Sequence, residues 1–86
     1  MKLKSDFITQ DIDNTQFLIS VGSESFSGIV RSNKTAAFIV DCLKKETTKD
    51  EIVEAMCLKY DAPRNVIDND VEEILETLRR IKALDE

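Results

Sequence analysis

Twelve residues in the middle of the chain, Ser32-Asn33-Lys34-Thr35-Ala36-Ala37-Phe38-Ile39-Val40-Asp41-Cys42-Leu43, leave little choice of conformation. The run opens on short polar side chains that can hold the free amide hydrogens of a helix start. It then places Ala36, Ile39, Val40 and Leu43 on one helical face. Phe38 and Cys42, four residues apart, fall on roughly the opposite side. A helix that is apolar nearly all round must lie between two other layers, and the remaining segments are what covers it.

An 86-residue chain is one domain, residues 1–86. A domain of that size buries only about 60 to 65% of its unfolded surface, so its stability margin is small and dimerisation or a bound partner matters to it. The hydrophobic fraction of 42% suffices for a core, and two glycines and one proline exclude a low-complexity or Pro-rich linker.

Charge is unevenly spread. Through Lys45 there are 6 basic and 5 acidic residues, net +1; from Glu46 onward there are 6 basic and 12 acidic, net −6, which together give the chain's −5. Phosphate-backbone binding draws on clustered Lys and Arg, so this balance argues against nucleic acid as partner. The acidic half reads as a solvated surface, with a basic partner as the sharper alternative.

No apolar run of signal-peptide length follows Met1-Lys2-Leu3-Lys4-Ser5-Asp6, and no segment approaches the ~20 apolar residues that cross a bilayer. The expected location is cytoplasmic, with no membrane partner. Cys42 and Cys57 lie on apolar helical stripes, where a free thiol serves as a small hydrophobe. With no histidine and no closely spaced cysteines, neither a metal site nor a Cys/His nucleophile is expected, nor any cofactor.

In order along the chain, Phe7 to Ile12 and Gln16 to Val21 are β-branched and aromatic segments separated by the turn cluster Asp13-Asn14-Thr15, which predicts a hairpin. Alternation sets Phe17, Ile19 and Val21 on one strand face, expected to meet the central helix, while Phe7 and Ile8 leave the first strand's register open. Gly22 to Gly28 reads as a flexible connection, and Gly28-Ile29-Val30-Arg31-Ser32 as a short third strand feeding the helix. A three-stranded sheet leaves outer edges with unpaired backbone groups, and a five-residue edge can accept one extra strand. Thr48-x-x-Glu51 is a capping box that starts a second helix, with Ile52, Val53, Met56, Cys57 and Tyr60 as its apolar stripe. Asp61-Ala62-Pro63 ends it, and Pro63 suits the first turn of a third helix running to about Ala83, with Ile67, Val71, Ile74, Leu75, Leu78 and Ile81 on the buried face. Val66 falls beside that stripe. Asp68, Asp70, Glu72 and Glu73 in its first half and Arg79, Arg80 and Lys82 near its end match the helix dipole. The fold class is therefore α+β, winged-helix-like: a three-stranded antiparallel sheet followed by three helices.

This order of elements resembles the PqqD-like family, the domain shared by coenzyme PQQ synthesis protein D and the recognition elements of ribosomally made, post-translationally modified peptides. The resemblance covers nearly the whole chain. It rests on Phe26-Ser27-Gly28-Ile29-Val30 leading into Ser32-Asn33-Lys34-Thr35-Ala36-Ala37-Phe38-Ile39, on Leu43 followed by Thr47-Thr48-x-x-Glu51-Ile52-Val53, on Tyr60-Asp61, and on Asp70-Val71 followed by Ile74-Leu75-x-x-Leu78. Two positions depart from the family pattern. Ser32 stands where an apolar residue, often Leu, usually precedes the Asn, and Val40-Asp41 keeps only the acid of an aromatic-acid pair. The resemblance is thus to the family rather than to the PQQ protein itself.

The resemblance implies a non-catalytic adaptor that binds the leader segment of a precursor peptide and presents it to a separate modifying enzyme, a radical SAM enzyme being one candidate. It implies that the leader adds as a strand to the edge of the third strand and lies against the third helix. The residues this places at the peptide are Gly28, Ile29, Val30, Arg31 and Ser32 on the strand, and Val66, Ile67, Asp70 and Ile74 on the helix. Strand addition draws affinity from backbone hydrogen bonds and specificity from side-chain pockets. Alternation lets only one of Ile29 and Val30 face the groove; which one is open. Arg31, the lone basic residue of the strand, is suited to an acidic leader side chain. Ile74 as core and Asp70 as a solvated helix acid are the plainer readings of those two.

Two other function classes fit the same elements. One is a winged-helix regulator of nucleic acid, which the acidic first half of the third helix opposes. The other is a homodimer built on the open strand edge. An enzyme fits least, because the sequence has no histidine, no glycine-rich phosphate loop and no carboxylate pair placed in a cleft.

Overall fold

In the computed structural model, which describes residues 1–21 and 29–86 and at 29–31 the backbone alone, the hairpin turn falls at Asp13-Asn14. Both residues have positive φ, 52° and 64°, and Ile12 pairs with Thr15. That is the two-residue turn whose twist matches the flanking strands, and Asp and Asn tolerate it better than most residues. It joins strands β2 (Phe7–Ile12) and β3 (Thr15–Ser20). The second strand therefore begins one residue earlier and ends one residue earlier than the sequence pattern suggests. The connection expected at residues 22–28 lies outside the described residues.

Numbering in chain order, β1 is Lys2–Leu3, β4 Ile29–Ser32, α1 Lys34–Cys42, α2 Lys49–Lys59, α3 Arg64–Arg80 and β5 Leu84–Asp85. β2, β3 and β4 form a three-stranded antiparallel sheet with β3 in the middle, followed by the three helices, as expected for this α+β fold. β1 and β5 add a small antiparallel pair that the sequence did not signal, with Lys2 opposite Asp85 and Leu3 opposite Leu84. Leu3 N–H donates to Leu43 O at 2.9 Å and Lys4 N–H to Ala83 O at 2.8 Å, so the first strand bridges the end of α1 and the chain's last turn.

α1 is the centre of the packing, with Ala36, Ile39, Val40 and Leu43 buried and Phe38 and Cys42 half-buried against the core. It touches β3 and β4 on one side and α2 and α3 on the other. The strand face that meets it is not Phe17-Ile19-Val21. Leu18 is buried, Gln16 is buried beside it, Phe17 and Ile19 are half-buried, and Val21 is exposed. Register decides this. Thr9 opposes Leu18 and Phe7 opposes Ser20, so buried Phe7 and Leu18 share the inner face while Ile8 turns out to solvent.

Thr48 caps α2 by accepting from Glu51 N–H at 3.2 Å, and Ile52, Val53 and Met56 are its fully buried residues. α3 starts one residue later than expected, with Pro63 as its cap, and stops at Arg80 rather than Ala83. Ile81 closes the helix and Lys82 takes φ 61°. Lys82 N–H donates to Arg79 O at 3.0 Å and Ala83 N–H to Leu78 O at 2.8 Å. These two bonds form a Schellman motif, with Ala83 and Leu78 both buried as its apolar contact, and it turns the chain into β5.

Candidate functional site

β4 pairs with β3 in the register Ile29 with Ile19, Val30 with Leu18, Arg31 with Phe17 and Ser32 with Gln16. It is the last strand of its sheet, so among the described residues its outer edge has no strand partner. Of the strand residues expected at a peptide, Gly28 lies outside the described residues, Ile29, Val30 and Arg31 are placed by backbone register, and Ser32 is buried. Ser32 hands the chain to Asn33, whose side-chain oxygen accepts from Ala36 N–H at 2.8 Å and so fixes where α1 begins.

The helical candidates divide by position around α3. Ile67, Val71, Leu75 and Leu78 form the buried stripe, and at 2% exposure Ile67 belongs to the core. It packs inward with that stripe, as its place on the expected buried face implies. Val66, Asp70 and Ile74 repeat every four residues along one flank of that stripe. Val66 is 43% exposed, Asp70 is exposed and Ile74 is half-buried. The opposite flank is taken up by α2. Lys49 Nζ reaches Asp68 and Glu72, each at 3.4 Å, and Arg64 meets Glu54 at 2.9 Å. The Val66-Asp70-Ile74 flank is thus turned away from α2. α1 packs against both β4 and α3.

The β4 edge offers backbone donors and acceptors, and the α3 flank offers two aliphatic side chains and one carboxylate. Together they offer little for catalysis. Burial, and secondarily the charge of Asp41, push the Cys42 thiol above its ordinary pKa, so it stays protonated at neutral pH and is a poor nucleophile. Among the described residues no group of His, Cys, Asp or Glu could hold a metal ion, and no helix is long and apolar enough to cross a membrane.

A second feature went unsignalled in the sequence. A cavity of about 950 Å³ opens at the hairpin end of the sheet, where Gln16, Ser32 and Asp11 meet the face of α1 that carries Lys34, Ala37 and Asp41 along the length of the helix. Only a parity argument that put Gln16 inward could have found it, and the more apolar opposite face hid that parity.

The family model for coenzyme PQQ synthesis protein D (PqqD) matches residues 16–84. The chain belongs to the PqqD family. Among curated proteins none matches it in sequence. Two solved structures are similar to it. One is TbiB1 in complex with the TbiA(beta) leader peptide, at a TM-score of 0.84 and 21% identity, covering 99% of this chain and 95% of that one. The other is lasso peptide synthetase B1 complexed with the leader peptide, at 0.75 and 19%, covering 91% of this chain and 88% of that one. At such identities the likeness is one of fold. It extends over the PqqD-family chain from β1 to β5 in the first case.

Proposed function

We propose that this PqqD-family chain is a non-catalytic adaptor that binds the leader segment of a ribosomally made precursor peptide and presents it to a separate modifying enzyme. The observation that carries the reading is the outer edge of β4, unpartnered among the described residues, together with the Val66-Asp70-Ile74 flank of α3, with α1 packed against both elements. Both similar structures hold a leader peptide on the same fold, which supports it. The leader adds as a strand to residues 28–32, and Val66, Asp70 and Ile74 select its side chains. Arg31 meets an acidic leader residue. The modifying enzyme, for which a radical SAM enzyme is one candidate class, then works on the core segment in the cytoplasm.

A backbone-amide NMR titration with the leaders of precursor peptides encoded beside the gene tests this. Shifts confined to residues 28–32 and 66–74 are expected. Saturating leader that moves neither set would refute the reading. The same open edge would serve a homodimer, and sedimentation that depends on protein concentration would favour that alternative. Nothing in the described structure favours nucleic acid, because Asp68, Asp70, Glu72 and Glu73 crowd the first half of α3.

A further inference from the structure

β2 is the other outer strand of the three-stranded sheet, and among the described residues no strand pairs with its free edge. The two-residue turn at Asp13-Asn14 fixes which backbone groups that edge presents. Ile12 and Thr15 flank the turn as a hydrogen-bonded pair, so Ile12, Gln10 and Ile8 turn their N–H and C=O groups toward β3. Phe7, Thr9 and Asp11 turn theirs outward. The same alternation has Val21 N–H donating to Asp6 O at 2.7 Å. Phe7 N–H is taken by Lys4 O at 3.1 Å, which leaves the N–H groups of Thr9 and Asp11 open among the described residues. The strand has no lysine, proline or bulge, the usual protection of a free edge. Its outward face instead carries Ile8, 46% exposed, and Ile12, 50% exposed.

We propose that β2 pairs antiparallel with β2 of a second copy of this chain, centred on Gln10, to make a six-stranded sheet across a two-fold axis. An axis perpendicular to the sheet keeps each face on its own side, so every residue meets one of its own parity. Three registers keep most of the strand paired. Centring on Asp11 sets two carboxylates directly opposite each other, which is destabilising. Centring on Thr9 sets Asp11 against Phe7, whose N–H is already bonded to Lys4 O. Centring on Gln10 sets Ile8 against Ile12 of the second copy, twice, and covers the apolar groups that the free strand exposes. On the inner face Thr9 then meets Asp11, and each such pair exchanges two backbone hydrogen bonds.

Charge selects the same register. A cavity of about 320 Å³ lies along this edge, and its lining includes Lys4, Thr9 and Lys44 and no acid. Lys44 is paired with Asp41 at 2.9 Å, whereas Lys4 has no ion pair among the described residues. Asp11 of the second copy, opposite Thr9, brings a carboxylate to the mouth of that cavity. Five residues from each copy make a small contact, so the dimer is weak and depends on concentration. It does not depend on the adaptor reading. Where that reading holds, both β4 edges stay outermost, about 24 Å apart at ~4.8 Å per strand, and the pair carries two leaders.

The test uses the full chain. Wild type taken from about 10 µM to about 1 mM is expected to move from monomer toward dimer in sedimentation. Over the same range the Thr9 and Asp11 amides should shift in NMR while those of residues 29–32 stay still. Gln10→Lys sets like charges opposite each other at an exposed position and is expected to hold the protein monomeric at an unchanged melting temperature. Gln10→Cys reads the register. A pair that is not hydrogen-bonded brings its Cα atoms to about 4.5 Å, within reach of a disulfide, so mild oxidation should cross-link this variant and not wild type. Wild type that stays monomeric throughout, Gln10→Lys that associates like wild type, or Gln10→Cys that does not cross-link would each overturn the proposal. So would association that moves residues 29–32 and spares Thr9 and Asp11, because the contact would then lie on β4. Leader binding is read separately, by titration at residues 28–32 and 66–74, so failure of the dimer and failure of the adaptor reading are distinguishable.

Discussion

Val66 gives the sharpest test of the proposed groove because it is apolar, sits on the α3 flank turned away from α2, and is 43% exposed in the free protein. Val66→Ala removes two methyl groups, each worth about 0.8 kcal/mol when fully transferred out of water. If the leader covers the exposed part, about 0.43 of that 1.6 kcal/mol is realised on binding, or about 0.7 kcal/mol, a three-fold rise in Kd. Folding should not suffer, since Ala exceeds Val in helix propensity by about 0.5 kcal/mol at an exposed position. Isothermal titration of wild type and variant with the same leader reads the difference directly, and the melting temperature controls for stability. An affinity unchanged within experimental error, with β4 amides still shifting, would show that the peptide does not reach this flank and that the groove wall is elsewhere.

Three further outcomes follow from the fold. Lys82→Gly should raise stability by about 0.5 to 1 kcal/mol in denaturant melts, because it relieves a side chain held at φ 61° in the Schellman turn, and a loss of stability would count against that geometry. Leu18→Ala should cost about 2 to 5 kcal/mol and come close to unfolding so small a domain, whereas Val21→Ala on the outer side should cost well under 1, so reversed costs would restore the other strand face to the core. Arg79 donates to Glu86 through Nε at 3.0 Å and through a second nitrogen at 3.1 Å, which holds the Glu86 carboxyl below its ordinary pKa. A depressed carboxyl contributes stability above its unfolded pKa of about 4.3 and loses it as pH falls through the lower folded value. Glu86→Gln should therefore leave stability unchanged in acid, below the folded pKa, and lower it slightly at pH 7; the carboxyl is exposed, so an effect large enough to dominate the acid limb would refute this.

The helices were legible because period and punctuation agree in them. Thr48 with Glu51, the Ile39-Val40-Leu43 face and the Ile67-to-Leu78 stripe each carry an apolar pattern and a cap or charge bias that point the same way. The sheet was legible in strand number and turn but not in face. Phe17, Ile19 and Val21 form the more apolar row, yet Gln16 and Leu18 go inward, since Asp41 on α1 supplies a partner for the Gln16 amide and Phe7 fills the same face. One-face hydrophobicity fails as a guide when both faces carry large apolar groups. The end of α3 was overrun because Lys82 and Ala83 continue a helical pattern in sequence while a non-glycine residue supplies the left-handed turn. The β4 edge was foreseen from strand number, and the polar cavity was not, because it is assembled from two separate segments, residues 11–16 and 32–41, whose polar groups meet only in the fold.

The pairing of β1 with β5 brings Leu3 against Leu84 and so closes nearly the whole chain into one loop. Such a contact carries the largest closure entropy in the molecule, while the Asp13-Asn14 hairpin and the α2–α3 pair need only local chain. The termini should therefore zip last in folding and open first in native-state fluctuations. In hydrogen exchange, the amides of Leu3 and Lys4 are expected to open well below the free energy of global unfolding, with Leu18 and Val40 at the global limit. The β4 edge and the Val66 flank belong to neither terminal strand, so the chain ends can open and close many times without the proposed peptide site losing its shape.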